Sequence, residues 1–172
     1  MFRKSLYALV AASLLVASAE RAEAQLPSLL RFNVNGGAAM PMSDAGDIWS
    51  AGFRVGAGVE LRAPLVPVGL RLDGAYDRMS VKGGGDGNLS ILSGTVNAVL
   101  SMPVMPLYLV GGAGLYRLDA GADPSNELGF NVGAGFALPL PMLSPFIEAR
   151  FTQINGDGGN FRYIPVVAGI RF

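Results

Sequence analysis

The chain contains no cysteine and no histidine, and these two absences remove a large share of possible chemistry. Without cysteine there is no disulfide framework of the kind small exported domains often use, and no thiol for a lipobox, so a lipoprotein is excluded. Without histidine there is no Ser-His or Cys-His triad and no His-ligated zinc. An excess of one charge is missing as well: 13 Lys and Arg balance 13 Asp and Glu. The basic residues are scattered rather than clustered, which sets aside nucleic acid as a partner. Beyond residue 24 there is also no continuous apolar run of the 18 or more residues that would mark a transmembrane helix.

What is present begins with a segment distinct from the rest. Arg3 and Lys4 precede an apolar run from Leu6 to Ala17, followed by Ala22-Glu23-Ala24. A basic start, a short apolar core and an A-x-A site together read as a cleaved secretory signal peptide over residues 1–24, with Gln25 as the expected mature N-terminus. The run is shorter than the ~20 residues a spanning helix needs. Its removal takes away three basic and two acidic residues, which leaves residues 25–172 as one near-neutral domain.

The whole chain is unusually hydrophobic for an exported protein, with a mean hydropathy of +0.40. The apolar residues are interleaved with polar ones, which is the pattern of the second way to cross lipid: a closed β-barrel whose backbone groups pair between strands. Period-2 alternation bounded by Pro, Gly, Asn and Asp predicts eight strands at roughly 30–40, 50–62, 66–78, 89–101, 107–118, 127–138, 145–154 and 161–172. Three connections are short and proline-rich, at Ala63-Pro64-Leu65, Pro103 to Pro106 and Pro139 to Met142; the other four are longer and polar. Short turns on one side and longer loops on the other are the outer-membrane pattern, with the turns and both termini in the periplasm. The fold class expected is therefore all-β: an eight-stranded antiparallel up-and-down transmembrane barrel, located in the outer membrane of a Gram-negative-type bacterium and surrounded by its lipid.

The faces agree between strands. Leu128, Phe130, Val132, Ala134, Phe136 and Leu138 alternate with Glu127, Gly129, Asn131, Gly133 and Gly135; Phe53, Val55, Ala57, Val59 and Leu61 alternate with Arg54, Glu60 and Arg62. An arginine facing lipid at mid-bilayer costs about 2–4 kcal/mol, so the charged parity must point inward. The expected lumen contains Asn33, Asn35, Arg54, Glu60, Arg71, Asp73, Asp77, Asn97, Glu127, Glu148 and Arg150. Buried charges persist when paired and hydrogen-bonded, so Arg54, Arg71 and Arg150 are expected to meet Asp73, Glu60 and Glu148 in a filled network. Inward glycines such as Gly56, Gly58, Gly133 and Gly135 either make room for long side chains or relieve curvature strain. Tyr108 and Tyr116, together with Trp49, Tyr76 and Phe172, are expected to form interfacial aromatic girdles. The face of the fifth strand stays open, because Leu107, Leu109 and Leu115 oppose the two tyrosines.

The C-terminal alternation Val166, Ala168, Ile170 and Phe172 resembles the signal by which the barrel-assembly machinery recognises small outer-membrane barrels of the OmpA/OmpX/OmpW kind, and the whole segment 25–172 resembles that family in pattern. The resemblance implies a non-enzymatic structural or surface-interaction role, or, on the OmpW side, a narrow porin-like conduit for small solutes. A lipid A-modifying enzyme and a soluble lipocalin-like carrier are the lesser alternatives; the carrier would require apolar residues to line the cavity. No cofactor or metal is expected. The single glycine-rich stretch Gly83 to Asn88 offers one Asp and one Asn where calcium takes six to eight oxygens, and the Gly-x-Gly fragments lack the helix that would receive a phosphate.

Overall fold

Alternation of branched or aromatic residues with small and polar ones over stretches of ten or more residues produces long, regular strands here. The computed structural model describes residues 29–63, 66–84, 87–102, 104–121, 123–138, 140, 143–156 and 159–172. The expected signal peptide lies outside them, as do parts of the turns and loops, including Asp86 and Asp157. Eight strands are described: β1 Leu30–Met42, β2 Gly52–Leu61, β3 Val68–Ser80, β4 Asn88–Ser101, β5 Leu107–Asp119, β6 Ser125–Ala137, β7 Ser144–Gly156 and β8 Gly159–Arg171. Each begins and ends within about three residues of its sequence expectation. The expected contrast in connection length is lost, because the strands run on into the polar segments: the polar connections at the loop end span 43–51, 81–87, 120–124 and 157–158, and those at the turn end, beside the C-terminal Phe172, span 62–67, 102–106 and 138–143. The loop after β1 contains a single helical turn, α1, Asp44–Ile48; no described helix is long and apolar enough to cross a membrane.

Every strand pairs antiparallel with its sequence neighbour, and β1 pairs with β8, so the sheet closes on itself. Closure leaves no edge with unpaired backbone groups, which lipid would not tolerate. The register fixes the shape. From Phe32 it passes through Val59, Leu72, Val96, Ala113, Phe130, Gln153 and Arg162, and returns to β1 at Met42, a stagger of ten residues around eight strands. At about 3.3 Å per residue and about 4.8 Å between strands this corresponds to a tilt of about 40°. A tilted strand of 10 to 14 residues then rises about 25–35 Å, enough to cover the hydrocarbon core.

The outside of the wall is apolar. Phe32, Val34, Phe53, Val55, Leu70, Leu72, Val96, Leu115, Phe130, Val132, Ile147 and Ile170 are all exposed. Among the described strand residues, outward-facing charges are confined to Arg78, Arg117, Asp119 and Arg162, all at the loop end. Inward-facing charges run the length of the lumen. The same parity on strand after strand makes the exterior a lipid-facing belt and the interior the core.

The structure corrects the aromatic girdle expected on β5. Tyr108 and Tyr116 are both 2% exposed and point into the lumen, whereas Leu107, Leu109 and Leu115 face out. The reason lies on the neighbouring strand: Gly135 is paired with Tyr108, and Gly129 lies beside the Tyr116 ring, so the wall is thin where each ring needs space. Trp49 is likewise turned inward, packing on an apolar cluster at the loop end. Tyr76 remains on the outer face, tilted against Phe53 at 6.1 Å, and Phe172 stacks on Phe32 at the opposite end.

Candidate functional site in the barrel lumen

The lumen is layered, which the expectation of a uniformly polar interior did not anticipate. At the loop end Ala39, Met79, Leu89, Ile91, Tyr116, Ile154 and Tyr163 form a buried apolar cluster, with Leu118 and Phe161 packed against it. Inward apolar side chains are tolerated here because each ring or branched chain fills volume that would otherwise require water, with Trp49 from the β1–β2 connection packed on them. A smaller cluster of Val99, Tyr108 and Val110 lies toward the turn end, with Ala137 against it. Between the two sits the charge network.

Its centre is a ring of four residues. Asp73 Oδ2 accepts from Arg71 Nε at 3.0 Å and from Arg150 Nη2 at 3.0 Å. Glu148 accepts from Arg71 Nη2 at 2.8 Å and from Arg150 Nε at 2.5 Å. Each arginine bridges both carboxylates, so the ring is neutral and every member is charge-paired, the condition under which buried ions persist. Asn97 Nδ2 donates to Asp73 at 2.8 Å, Asn131 Nδ2 donates to Asn97 Oδ1 at 2.9 Å, and the Tyr108 hydroxyl donates to Glu148 at 2.8 Å. These residues come from β3, β4, β5, β6 and β7, so the network ties strands that are not neighbours in the wall.

Two expected members stand elsewhere. Arg54 donates through Nη1 to both oxygens of Asp77, at 2.9 and 2.7 Å, and the Tyr163 hydroxyl lies 3.3 Å from Asp77 Oδ2. The β2–β3 register places Arg54 directly across from Asp77, so the nearest carboxylate takes it before Asp73 or Glu148 can. Glu60 faces Arg71 across the same pair of strands, yet Arg71 reaches along its own strand and across the lumen instead. Glu60 is 2.6 Å from Arg62 Nη2 and 4.0 Å from Arg171 Nη2, close to the turn end. The expected pairing of Arg54 and Glu60 with the central carboxylates and arginines is therefore replaced by two separate clusters. Asp77 and Arg62 were signalled by parity alone; register supplies the partner of Asp77, whereas Arg62 meets Glu60 two residues away along the chain.

Small residues make the network possible. A Cβ at Gly58 would meet the Asp73 carboxylate and the Asn33 amide, and one at Gly133 would meet Arg150. The space left among Arg54, Asp73, Glu148, Arg150 and Pro165 is about 10 Å³, room for about one water. Among the described residues there is no grouping of acidic side chains that could hold a metal ion. The four residues expected to form an assembly signal lie on β8 or just beyond it, with Val166, Ala168, Ile170 and Phe172 all exposed on the outer face.

A closed antiparallel barrel of eight strands with an apolar exterior and a charged, filled interior is the fold of the small outer-membrane β-barrel proteins. The sequence matches no protein-family model and no curated protein. Solved structures do match. Neisserial surface protein A is 19% identical with a TM-score of 0.62, over 83% of this chain and 95% of that one. The Yersinia pestis outer membrane protein Ail in a phospholipid bilayer nanodisc is also 19% identical, with a TM-score of 0.57 over 83% of this chain and 99% of that one. A crystal structure of Ail in complex with the heparin analogue sucrose octasulfate gives a TM-score of 0.52 at 19% identity, over 84% of this chain and 99% of that one.

Proposed function

We propose that this protein resides in a Gram-negative-type outer membrane as a closed, non-enzymatic barrel that presents the four polar connections after β1, β3, β5 and β7 at the surface and conducts no solute. The observation that carries this reading is the Arg71–Asp73–Arg150–Glu148 ring, sealed on one side by the Met79, Ile91 and Tyr163 layer and on the other by Val99 and Val110. A pathway for solutes would have to break four charge pairs and displace packed apolar side chains, and the central space of about 10 Å³ admits only about one water. The absence of histidine throughout the chain and the use of every central carboxylate in an ion pair support a role without catalysis. The outward apolar belt supports lipid as the surrounding medium, and the exposed C-terminal alternation ending in Phe172 supports delivery by the barrel-assembly machinery.

Planar-bilayer recording of the refolded barrel tests the closed lumen: silence is expected, and steady single-channel steps would overturn it in favour of a conduit. Fractionation tests the location. A heat-modifiable band in outer membranes is expected, whereas a soluble periplasmic protein would point to a carrier.

A further inference from the structure

At the turn end the charge balance of the lumen fails. Arg31, Arg62 and Arg171 line one cavity of about 390 Å³, together with Ser101, Ser144 and Tyr108. Among the described residues, the one acidic side chain beside them is Glu60. Arg171 is the informative member: its side chain is 7% exposed and held between the Tyr108 and Phe146 rings, with Cζ 5.1 and 5.3 Å from their centroids. Its Nε and Nη2 are buried without a hydrogen-bond partner among the described residues, as is Arg62 Nε, while Arg62 Nη2 is ion-paired with Glu60 Oε1 at 2.6 Å. A buried guanidinium with unused donors costs free energy that its surroundings normally offset. Its nearest carboxylate oxygen, 4.0 Å away, is beyond hydrogen-bonding range. Three arginines against one acidic side chain leave an excess of positive charge in a concave site with low-dielectric walls, a geometry that concentrates anions.

We infer that this cavity binds a phosphate group, with Arg62 and Arg171 as its principal donors and Arg31 guarding the entrance. Guanidinium forks match tetrahedral oxyanions through paired, charge-assisted hydrogen bonds, and the two serines add hydroxyl donors. The cavity is large enough for a small phosphate ester or a phospholipid headgroup entering from below the wall. The apolar turn residues Met102, Val104 and Leu138 on its rim would accompany either. The site depends on the barrel geometry alone: a conducting lumen would overturn the function proposed above and leave this cavity unchanged.

The test uses the complete barrel, labelled with ¹⁵N-arginine and refolded into nanodiscs, with arginine Nε–H signals assigned by substitution. In one arm inorganic phosphate is titrated into zwitterionic nanodiscs; in the other, nanodiscs containing phosphatidylglycerol are prepared in buffer without inorganic phosphate. The Arg62 and Arg171 signals should shift saturably in at least one arm while Arg54, held by Asp77, stays still. A response to inorganic phosphate identifies a soluble ligand, and a response confined to phosphatidylglycerol identifies a headgroup. Arg62→Gln, beyond the end of β2 and so little involved in closing the barrel, should weaken binding about tenfold or more, the worth of a charge-assisted hydrogen bond. Glu60→Gln should tighten it. Unmoved Arg62 and Arg171 signals in both arms, equal movement of Arg54, or unchanged affinity in Arg62→Gln would each overturn the site.

Discussion

Tyr108 lies directly over Gly135, its ring occupying the volume that any side chain at position 135 would need. The hydroxyl of the same tyrosine reaches Glu148 at 2.8 Å, so one glycine on β6 positions a member of the charge network. Gly135→Ala should therefore displace the ring and weaken the hydroxyl contact, costing about 1–3 kcal/mol as overpacking does. Gly94→Ala, on the outer face with nothing close to its added methyl, should be near neutral. Urea unfolding from lipid vesicles, followed by tryptophan fluorescence, measures both; equal effects would show that ring placement is not what the glycine provides.

The four-membered ring predicts strong coupling. Arg150→Met leaves Asp73 and Glu148 sharing one arginine, an uncompensated buried negative charge that should cost about 3–5 kcal/mol. Combining it with Glu148→Gln restores neutrality, with Arg71 and Asp73 still paired at 3.0 Å. The double variant should be more stable than the sum of the two single losses by about 1–3 kcal/mol in a double-mutant cycle. Additivity within experimental error would mean that the four residues act independently.

Much of this arrangement is written in strand parity. Arg54, Arg71, Asp73, Glu148 and Arg150 stand alternate to valines, leucines and phenylalanines, and no other parity keeps them out of lipid, so the wall and its two faces can be read without coordinates. Partner choice cannot. Arg54 and Asp77 are 23 residues apart and meet because β2 and β3 pair in one register out of several that preserve parity. Strand β5 was illegible for a related reason: leucines and tyrosines alternate on it, both acceptable on lipid, and the deciding glycines belong to β6. On β4, Leu89 and Ile91 point inward while Asn88 and Ser90 stand on the outer face, so hydrophobicity at that end points the wrong way and only the middle, at Ser93, Thr95 and Asn97, marks the lumen.

The belt itself is open to a direct test. Leu72 stands on the outer face of β3, 51% exposed, alternate to Arg71 and Asp73. Leu72→Arg should destabilise the barrel in vesicles by about 2–4 kcal/mol, the mid-bilayer cost of a lipid-facing arginine. Arg78→Leu, farther along the same face at the loop end, should change stability by less than about 1 kcal/mol, since depth sets the penalty. Comparable effects at the two positions would contradict the placement of the hydrocarbon core.

Pro165 points into the lumen on β8, where closure leaves no edge strand to hide a missing N–H. The β7–β8 ladder is continuous from Ser144 to Ala149 and again from Thr152 to Gly156, but the pairs that would join Arg150 and Phe151 to Pro165 and Ile164 are absent. The β3–β4 ladder, by contrast, runs unbroken over 13 pairs from Val68 to Ser80. Local opening is easiest where a run of backbone pairing is interrupted, so the middle of the β7–β8 seam should be less protected than the unbroken β3–β4 seam. Hydrogen exchange of the folded barrel should show amides around Arg150 and Phe151 exchanging at least tenfold faster than those around Leu72 and Asp73. The charge ring limits this opening, because Arg150 is held to Asp73 and Glu148. Arg150→Met should therefore speed exchange along the β7–β8 seam more than along β3–β4. A uniform acceleration across both seams would assign the ring a global role only, and would show that Pro165 marks no weak point.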